Sequence, residues 1–233
     1  MYLYETHVHS MNASLCAKCM PKELVRAYKE AGYTGLILTD HFVKGNTSVS
    51  RDLDWKKRMH MYYDAYLEAK EEGEKLDFDV FFGIEHHYEK GKEILIYGIT
   101  IEFLLEHPEL ETAPIEVYAK LVHENGGILI HAHPHRIRDY IDPSFAPRYD
   151  VCDGIEVYNA ADSLEINELA VKDAIGLKKI MTSGGDVHKV NDEPKIGQAG
   201  MWFDRRLANA HAFVSALKNG DGQIVFAGEK RKI

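Results

Sequence analysis

The segment Tyr2-Leu3-Tyr4-Glu5-Thr6-His7-Val8-His9 begins with aromatic, aliphatic and β-branched residues and closes on two histidines. Such residues fit a pleated, buried surface, so a strand is expected over Tyr2 to His7. Residues two apart point the same way from an extended chain. His7 and His9 therefore present both imidazoles on one face, where together they can chelate one ion. The same grammar, an apolar run ending in ligand-type residues, recurs down the chain.

Thr34 to Thr39 runs into Asp40 and His41, and Phe78 to Ile84 into Glu85. Gly127 to Ala132 carries His131 and leads to His133, while Lys179 to Thr182 leads through two glycines to Asp186 and His188. Glu93 to Tyr97, Gly154 to Tyr158 and Ala199 to Phe203 complete the expected strands, all apolar enough for burial on both faces.

Helical periodicity fills the intervals. Pro21 to Ala31 has proline at a first-turn position and Gly32 after its end. A second helix carries Trp55, Met59, Tyr62, Tyr63 and Tyr66 on one face, a stripe read as packing rather than a base-stacking surface. Further helices are expected over Pro114 to Glu124, over Ser163 to Ile175 with Asp162 and Glu165 at capping-box spacing, and over about Leu207 to Leu217. Alternating strands and helices predict an α/β fold in which a parallel sheet is covered by helices and closes as a barrel, with active groups at the strand C-terminal ends. The ligand-type residues sit at those ends.

The 233 residues suit one domain spanning the whole chain. Hydrophobic residues at 45% and charged residues at 28% exclude disordered and collagen-like classes. A net charge of −9 disfavours binding to extended nucleic acid, whose phosphates it would repel. No basic, apolar leader and no apolar run of ~18 residues is found, so a cytoplasmic protein away from membranes is expected. Three cysteines, Cys16, Cys19 and Cys152, are too few for a disulfide framework, whereas 13 histidines are many. Imidazoles and carboxylates gathered at one barrel mouth suit Zn, Mn or Fe. More candidates than the four ligands of a closed structural zinc site point to several ions and to catalysis.

The ordered set H-V-H-S at 7–10, T-D-H at 39–41, G-I-E at 83–85, A-H-P at 132–134 and G-D-V-H at 185–188 resembles the PHP (polymerase and histidinol phosphatase) family. The resemblance implies a distorted (β/α)7 barrel holding two or three divalent metal ions. It also implies hydrolysis of a phosphoester by metal-activated hydroxide. By the same resemblance His7, His9, Glu85 and Asp186 match the ligands of a first metal. Glu85 with His133 matches those of a second, and His41 with His188 those of a third. Asp40 and Asn159 fit family patterns as supporting residues.

Three departures stand out. Where many relatives carry a His or Asp after H-x-H, this chain has Ser14, Leu15 and Cys16, so Cys16 is a candidate thiolate ligand. Leu95 stands where relatives often carry a ligand, and strand alternation nominates His87 or His131 as its replacement, with His86 facing away. His135 and Arg136 follow A-H-P, and Arg136 offers a planar fork to phosphate oxygens.

Glu85, Asp186 and Arg136 are thus the expected catalytic set, and Arg136, His135 and Asn159 the expected substrate contacts. The expected substrate is a small phosphorylated metabolite: a histidinol-phosphate-like compound, a nucleotide or a sugar phosphate. The alternatives are an amidohydrolase-like metal hydrolase, a PHP-type nuclease on short oligonucleotides and a noncatalytic metal-binding module. Neither the native metal nor the oligomeric state is legible in the sequence.

Overall fold

Strand β1 covers Tyr2–Val8 and is buried from Leu3 onward. In this computed structural model, which describes residues 1–191 and 196–231, it lies near the middle of a ten-stranded sheet. After it come α1 (Pro21–Glu30), β2 (Gly35–Leu38), α2 (Trp55–Lys75), β3 (Asp79–Glu89), β4 (Lys92–Tyr97) and α3 (Ile101–Glu106). The chain continues through a 3-10 turn at Pro108–Glu111, α4 (Ile115–Glu124), β5 (Ile128–His131), β6 (Gly154–Asn159), α5 (Leu164–Leu177) and β7 (Ile180–Gly184). It ends with β8 (Ala199–Phe203), α6 (Ala210–Lys218), β9 (Gln223–Phe226) and β10 (Glu229–Arg231).

The sheet order is β10-β9-β8-β1-β2-β3-β4-β5-β6-β7. Two parallel blocks, β1-β2-β3 and β5-β6-β7, flank β4, which is antiparallel to both its neighbours. Antiparallel pairs also join β1 to β8, β8 to β9 and β9 to β10. The expected all-parallel, seven-unit barrel is therefore replaced by a mixed, curled sheet. The physical cause at its centre is the short turn at Lys90 and Gly91, both at positive φ, which folds β4 straight back on β3 and leaves no room for a crossover helix.

Curling brings distant strands together. The segment after β7 returns to β1, where Asp186 N donates to His7 O at 2.7 Å and His9 N to Val187 O at 3.0 Å. From β4 the Tyr97 hydroxyl reaches across the interior to Thr6 O at 2.9 Å. Gly184 permits the close approach, because a Cβ there would overlap Cβ of His7.

Strand alternation sorts the core into two layers. Leu36, Leu38, Phe82, Ile84, Ile94 and Ile96 pack toward α1–α4, whereas Tyr4, Ile37, Phe81, Leu95 and Tyr97 pack with α5 and α6. Met59 and Tyr62 of the aromatic stripe are buried in the first layer, and Trp55, Tyr63 and Tyr66 rest against it, as packing. Helix α5 starts one residue later than its expected cap: the Ser163 hydroxyl accepts Ile166 N, and Asp162 is drawn off to pair with Arg136. Among the described residues no helix is long and apolar enough to cross a membrane.

Candidate metal centre

At one rim of the curled sheet gather His7 from β1 and His9 just after it, His41 after β2, Glu85 from within β3, which runs on past its expected end, Glu93 near the start of β4, His133 after β5, and Asp186 and His188 after β7. All are buried except His188, which is partly exposed. His133 and Asp186 hold φ of 28° and 51°, a left-handed backbone costly for residues with a Cβ. Strain of that kind persists where surrounding structure enforces a position, and here it turns both side chains inward.

The ligand atoms converge. His7 Nε2 lies 3.0 Å from His9 Nε2 and 3.1 Å from Glu85 Oε1, and His9 Nε2 lies 3.3 Å from Asp186 Oδ1. His133 Nε2 is 3.0 Å from Glu85 Oε1, and Glu93 is 3.5 Å from His133 and 3.7 Å from His41. Four triads have ligand atoms mutually within 4.8 Å: His9-His41-His188, His7-His9-Glu85, His7-His133-Asp186 and His41-Glu85-Glu93.

The protonation pattern fits a cation. His7 Nδ1 lies 2.9 Å from a Glu156 oxygen that can accept its proton, a contact that orients the ring so that Nε2 faces His9 and Glu85. His188 Nδ1 is 3.0 Å from Asp186 O, an arrangement that leaves its Nε2 free to coordinate. His41 Nδ1 and Glu85 Oε2 are buried 2.8 Å apart, yet neither has a hydrogen-bond partner. Burial drives the His7 pKa down, but the charges of Glu156, Glu85 and Asp186 overcome it and hold it well above the usual histidine range. Burial and the neighbours His188 and His41 hold His9 well below it. Burial raises Glu85 and Asp186, but facing cations win, His7 and His41 for the one and Arg136 and His7 for the other, so both stay ionised. Glu93 is pushed up to about 7 by burial and by the charge of Glu85. A divalent ion would answer this surplus of buried carboxylates.

Supporting residues set these positions. Asp40 does not face the cluster: its oxygens accept Ser10 N at 2.6 Å, Ser10 Oγ at 2.7 Å and Ser14 Oγ at 2.7 Å. Ser14 in turn lies 3.4 Å from His9 Nδ1 and accepts His41 N. Asn159 donates to Glu156 at 2.9 Å and accepts from Arg136 at 2.8 Å. Arg136 is buried, with Nη2 2.7 Å from Asp186 and Nε on Asp162, so the fork expected to meet phosphate is largely occupied within the protein.

A cavity of about 410 Å³ opens over the cluster, lined by Cys16, His41, Lys44, His87, Glu93, Arg136, Tyr140 and His188 among others. Cys16 contacts His188 and His41, and although burial raises its thiol, those rings bring it down to about 6. Of the two nominated replacements for Leu95, His87 lines this cavity but joins none of the triads. His131 turns away, its ring bonded to the Tyr88 hydroxyl at 2.9 Å and to Ala132 O at 3.0 Å. His135 also points elsewhere, to Asp173 at 2.7 Å on α5. A larger hollow of about 670 Å³ lies away from the histidines, and its Lys179 and Arg231 are engaged by Cys152 O and Glu168.

Two residues escaped the sequence reading. Glu93 pairs with His87, and Leu95 with Glu85, across the β3–β4 hairpin, so all four side chains share a face. The alternation that condemned Leu95 thus nominates Glu93, two residues earlier. Glu156, in G-I-E-V-Y-N, carried no separate signal, since its role depends on β6 lying beside β5 and β7.

The model of the PHP domain family matches residues 5–219. No curated protein matches the sequence. Among solved structures, a two-domain protein from Bacteroides vulgatus, containing a predicted PHP-like metal-dependent phosphoesterase, superposes with a TM-score of 0.70 at 16% identity. The match covers 98% of this chain and 66% of that one, so the chain spans about two thirds of that relative's length. An amidohydrolase from Chromobacterium violaceum matches with a TM-score of 0.57 at 15% identity, over 82% of this chain and 89% of that one. Endonuclease Q, in complex with a 27-mer duplex bearing an abasic lesion at its active site, matches at 0.64 and 13%, over 94% and 56%. A chain of similar fold thus engages duplex DNA, and the −9 charge does not by itself set extended nucleic acid aside.

Proposed function

Because the chain belongs to the PHP domain family, we propose that it is a metal-dependent phosphoesterase acting on a small phosphomonoester, with residues 1–233 forming a single catalytic domain in the cytoplasm. The observation that carries this reading is the convergence of five histidines and three carboxylates on the floor of a cavity sized for a small ligand. Two or three divalent ions of the Zn, Mn or Fe class are the required cofactors. His7, His9, Glu85 and Asp186 would hold a first ion, Glu85, Glu93 and His133 a second, and His41 and His188 a third. When bound, such ions neutralise phosphoryl oxygens and lower the pKa of water toward ~7.

The protein's own residues do the rest. Glu85, with both oxygens among histidines, is placed to be shared between ions. Arg136 keeps Asp186 ionised and oriented; its Nη1 donates no hydrogen bond among the described residues and is the part left for a phosphate oxygen. Lys44 and Tyr140 line the cavity farther out, where a leaving group would lie. A centre loaded with divalent ions would be locally cationic and would draw the anionic phosphate of a substrate.

The test is metal content by mass spectrometry, joined to hydrolysis of an aryl phosphomonoester, an aryl phosphodiester and an abasic-lesion duplex, each with added Mn²⁺ or Zn²⁺. Two or three ions with monoester turnover are expected. Turnover of the diester or duplex alone would replace the reading with a nuclease, and full metal loading without turnover would replace it with a binding module.

A further inference from the structure

Two of the chain segments that carry the centre leave it side by side. His41 bridges to Glu85 as the continuations of β2 and β3 run out in parallel, with Phe42 N donating to Glu85 O at 2.8 Å. Beyond that rung, Phe42 to Gly45 forms a tight turn closed by Gly45 N on Phe42 O at 2.6 Å, while β3 continues through His87. Lys44 on the turn and His87 on the strand both line the cavity over the cluster. His87 stands two residues beyond Glu85 on the same face, a step of roughly 7 Å along an extended chain.

Both side chains keep hydrogen-bonding capacity that the fold does not use. Lys44 Nζ gives one of its three hydrogens to Ala113 O at 3.1 Å, and among the described residues no carboxylate lies within ion-pair distance of it. His87, partly exposed, makes no side-chain hydrogen bond among the described residues. Glu93, opposite His87 on β4, turns its carboxylate to His41 and His133 instead. The other cation of the lining, Arg136, is engaged by Asp186, Asp162 and Asn159. The backbone that presents Lys44 is held on both sides, with Leu15 N on Asn46 O at 2.9 Å, Ser48 N on Ala13 O at 2.9 Å and Arg51 Nη2 on Gly45 O at 3.1 Å.

We propose that Lys44 and His87 form a subsite for a second anionic group, a carboxylate or a phosphate, carried by the leaving side of the substrate about one such step from the scissile phosphoryl group. An ammonium and an imidazole N–H on one wall offer that group charge-assisted hydrogen bonds. The inference rests on the phosphomonoester reading and adds to it the class of compound, a phosphoester with two anionic ends. A lysine that only stapled its loop to Ala113 would affect every substrate alike, whereas a lysine in such a subsite acts on one class.

The test uses the full chain loaded with Mn²⁺ or Zn²⁺ and compares para-carboxyphenyl phosphate and para-phenylene bisphosphate with the neutral isostere para-carbamoylphenyl phosphate. The doubly anionic esters are expected to exceed the isostere in kcat/KM by ~10–100-fold, the effect of one hydrogen bond to a charged group. Preference for one of the two over the other identifies the anion. Lys44→Met is expected to bring that ratio close to one, Lys44→Arg to keep much of it, and His87→Asn to lower it without loss of a bound ion. A ratio near one in the wild type, an equal loss on all three esters in Lys44→Met, or loss of an ion in His87→Asn overturns the subsite and leaves the phosphomonoesterase reading standing. Turnover of none of the esters overturns that reading instead. The subsite is then decided by the dissociation constants of para-carboxybenzyl and para-carbamoylbenzyl phosphonate, which cannot be hydrolysed: the same ratio, lost in Lys44→Met, supports it, and equal constants overturn it.

Discussion

Arg136 Nη2 lies 2.7 Å from Asp186 Oδ2, a buried pairing of a guanidinium with a carboxylate of the candidate ligand cluster. The same side chain serves Asp162 and Asn159, so most of its donors are spent on holding Asp186 and its neighbours in place. Removing one partner of a buried pair strands the other's charge, at about 3–5 kcal/mol. Arg136→Ala is therefore expected to cost about that much in urea unfolding of the chelated protein. Added Zn²⁺ or Mn²⁺ should recover part of it, because an ion on Asp186 replaces the missing charge. A loss no larger than a surface substitution gives would remove Arg136 from this role.

Glu93→Gln keeps the shape and removes the charge. Metal content is expected to fall by one ion, and phosphoester turnover by at least ~10–100-fold. Leu95→Ala, which removes an apolar neighbour of Glu85 and no ligand-type atom, is expected to lower stability and leave the number of bound ions unchanged. Unchanged metal in Glu93→Gln would show that the second position is completed by another residue.

A Cβ at Gly184 would overlap Cβ of His7 and an oxygen of Glu156. Gly184→Ala is expected to destabilise the fold by about 1–3 kcal/mol and to weaken metal binding, since the strain falls on His7 and the carboxylate that orients it. Gly176 has nothing within 4 Å of such a Cβ and lies in α5, so Gly176→Ala should be neutral or stabilising by up to ~1 kcal/mol. Calorimetry and metal titration on the pair separate crowding at the centre from the general effect of removing glycine.

His131 is buried, and burial pulls its pKa down to about 3, while its Nε2 faces the Tyr88 hydroxyl. The unfolded chain binds this proton near 6.5 and the folded chain does not. Its contribution is therefore complete above ~6.5 and is lost as pH falls toward about 3, with a slope approaching ~1.4 kcal/mol per pH unit. Denaturant midpoints of wild type and His131→Asn, compared from pH 7 to pH 4 in chelator, should converge as the pH falls. Parallel curves would mean that His131 titrates alike in both states.

An ion held among Glu85, Glu93 and Asp186 would balance their charge, and chelation would remove it. The melting temperature is expected to drop on stripping and to return with added ion, by the equivalent of ~2.7 kcal/mol at a hundredfold excess over Kd. No shift with any of Zn²⁺, Mn²⁺ or Fe²⁺ would count against a metal centre at this rim.

The segments that carry the converging histidines and carboxylates were legible because a strand has a period of two and writes itself locally. An apolar run followed by His7-Val8-His9, or by Asp40-His41, states its own geometry without reference to any other part of the chain. The packing role of the α2 aromatic stripe was legible for the same reason, since helical period lies along the sequence. By itself, the sequence determined the α/β class, the family motifs and seven of the converging residues.

What only the tertiary structure decided depends on which strand lies beside which. The turn at Lys90 and Gly91 made β4 antiparallel and placed Glu93 beside Glu85 rather than on the far side of a helix. Packing β6 against β5 and β7 brought Glu156 to His7, and the return of the chain after β7 brought Asp186 to Arg136. His131, nominated in sequence as a ligand, and His135, nominated as a substrate contact, found Tyr88 and Asp173 instead, because an imidazole takes whichever partner the neighbouring element supplies. Pairings between residues far apart in the chain have no local period to announce them, and so they are settled only when the sheet curls.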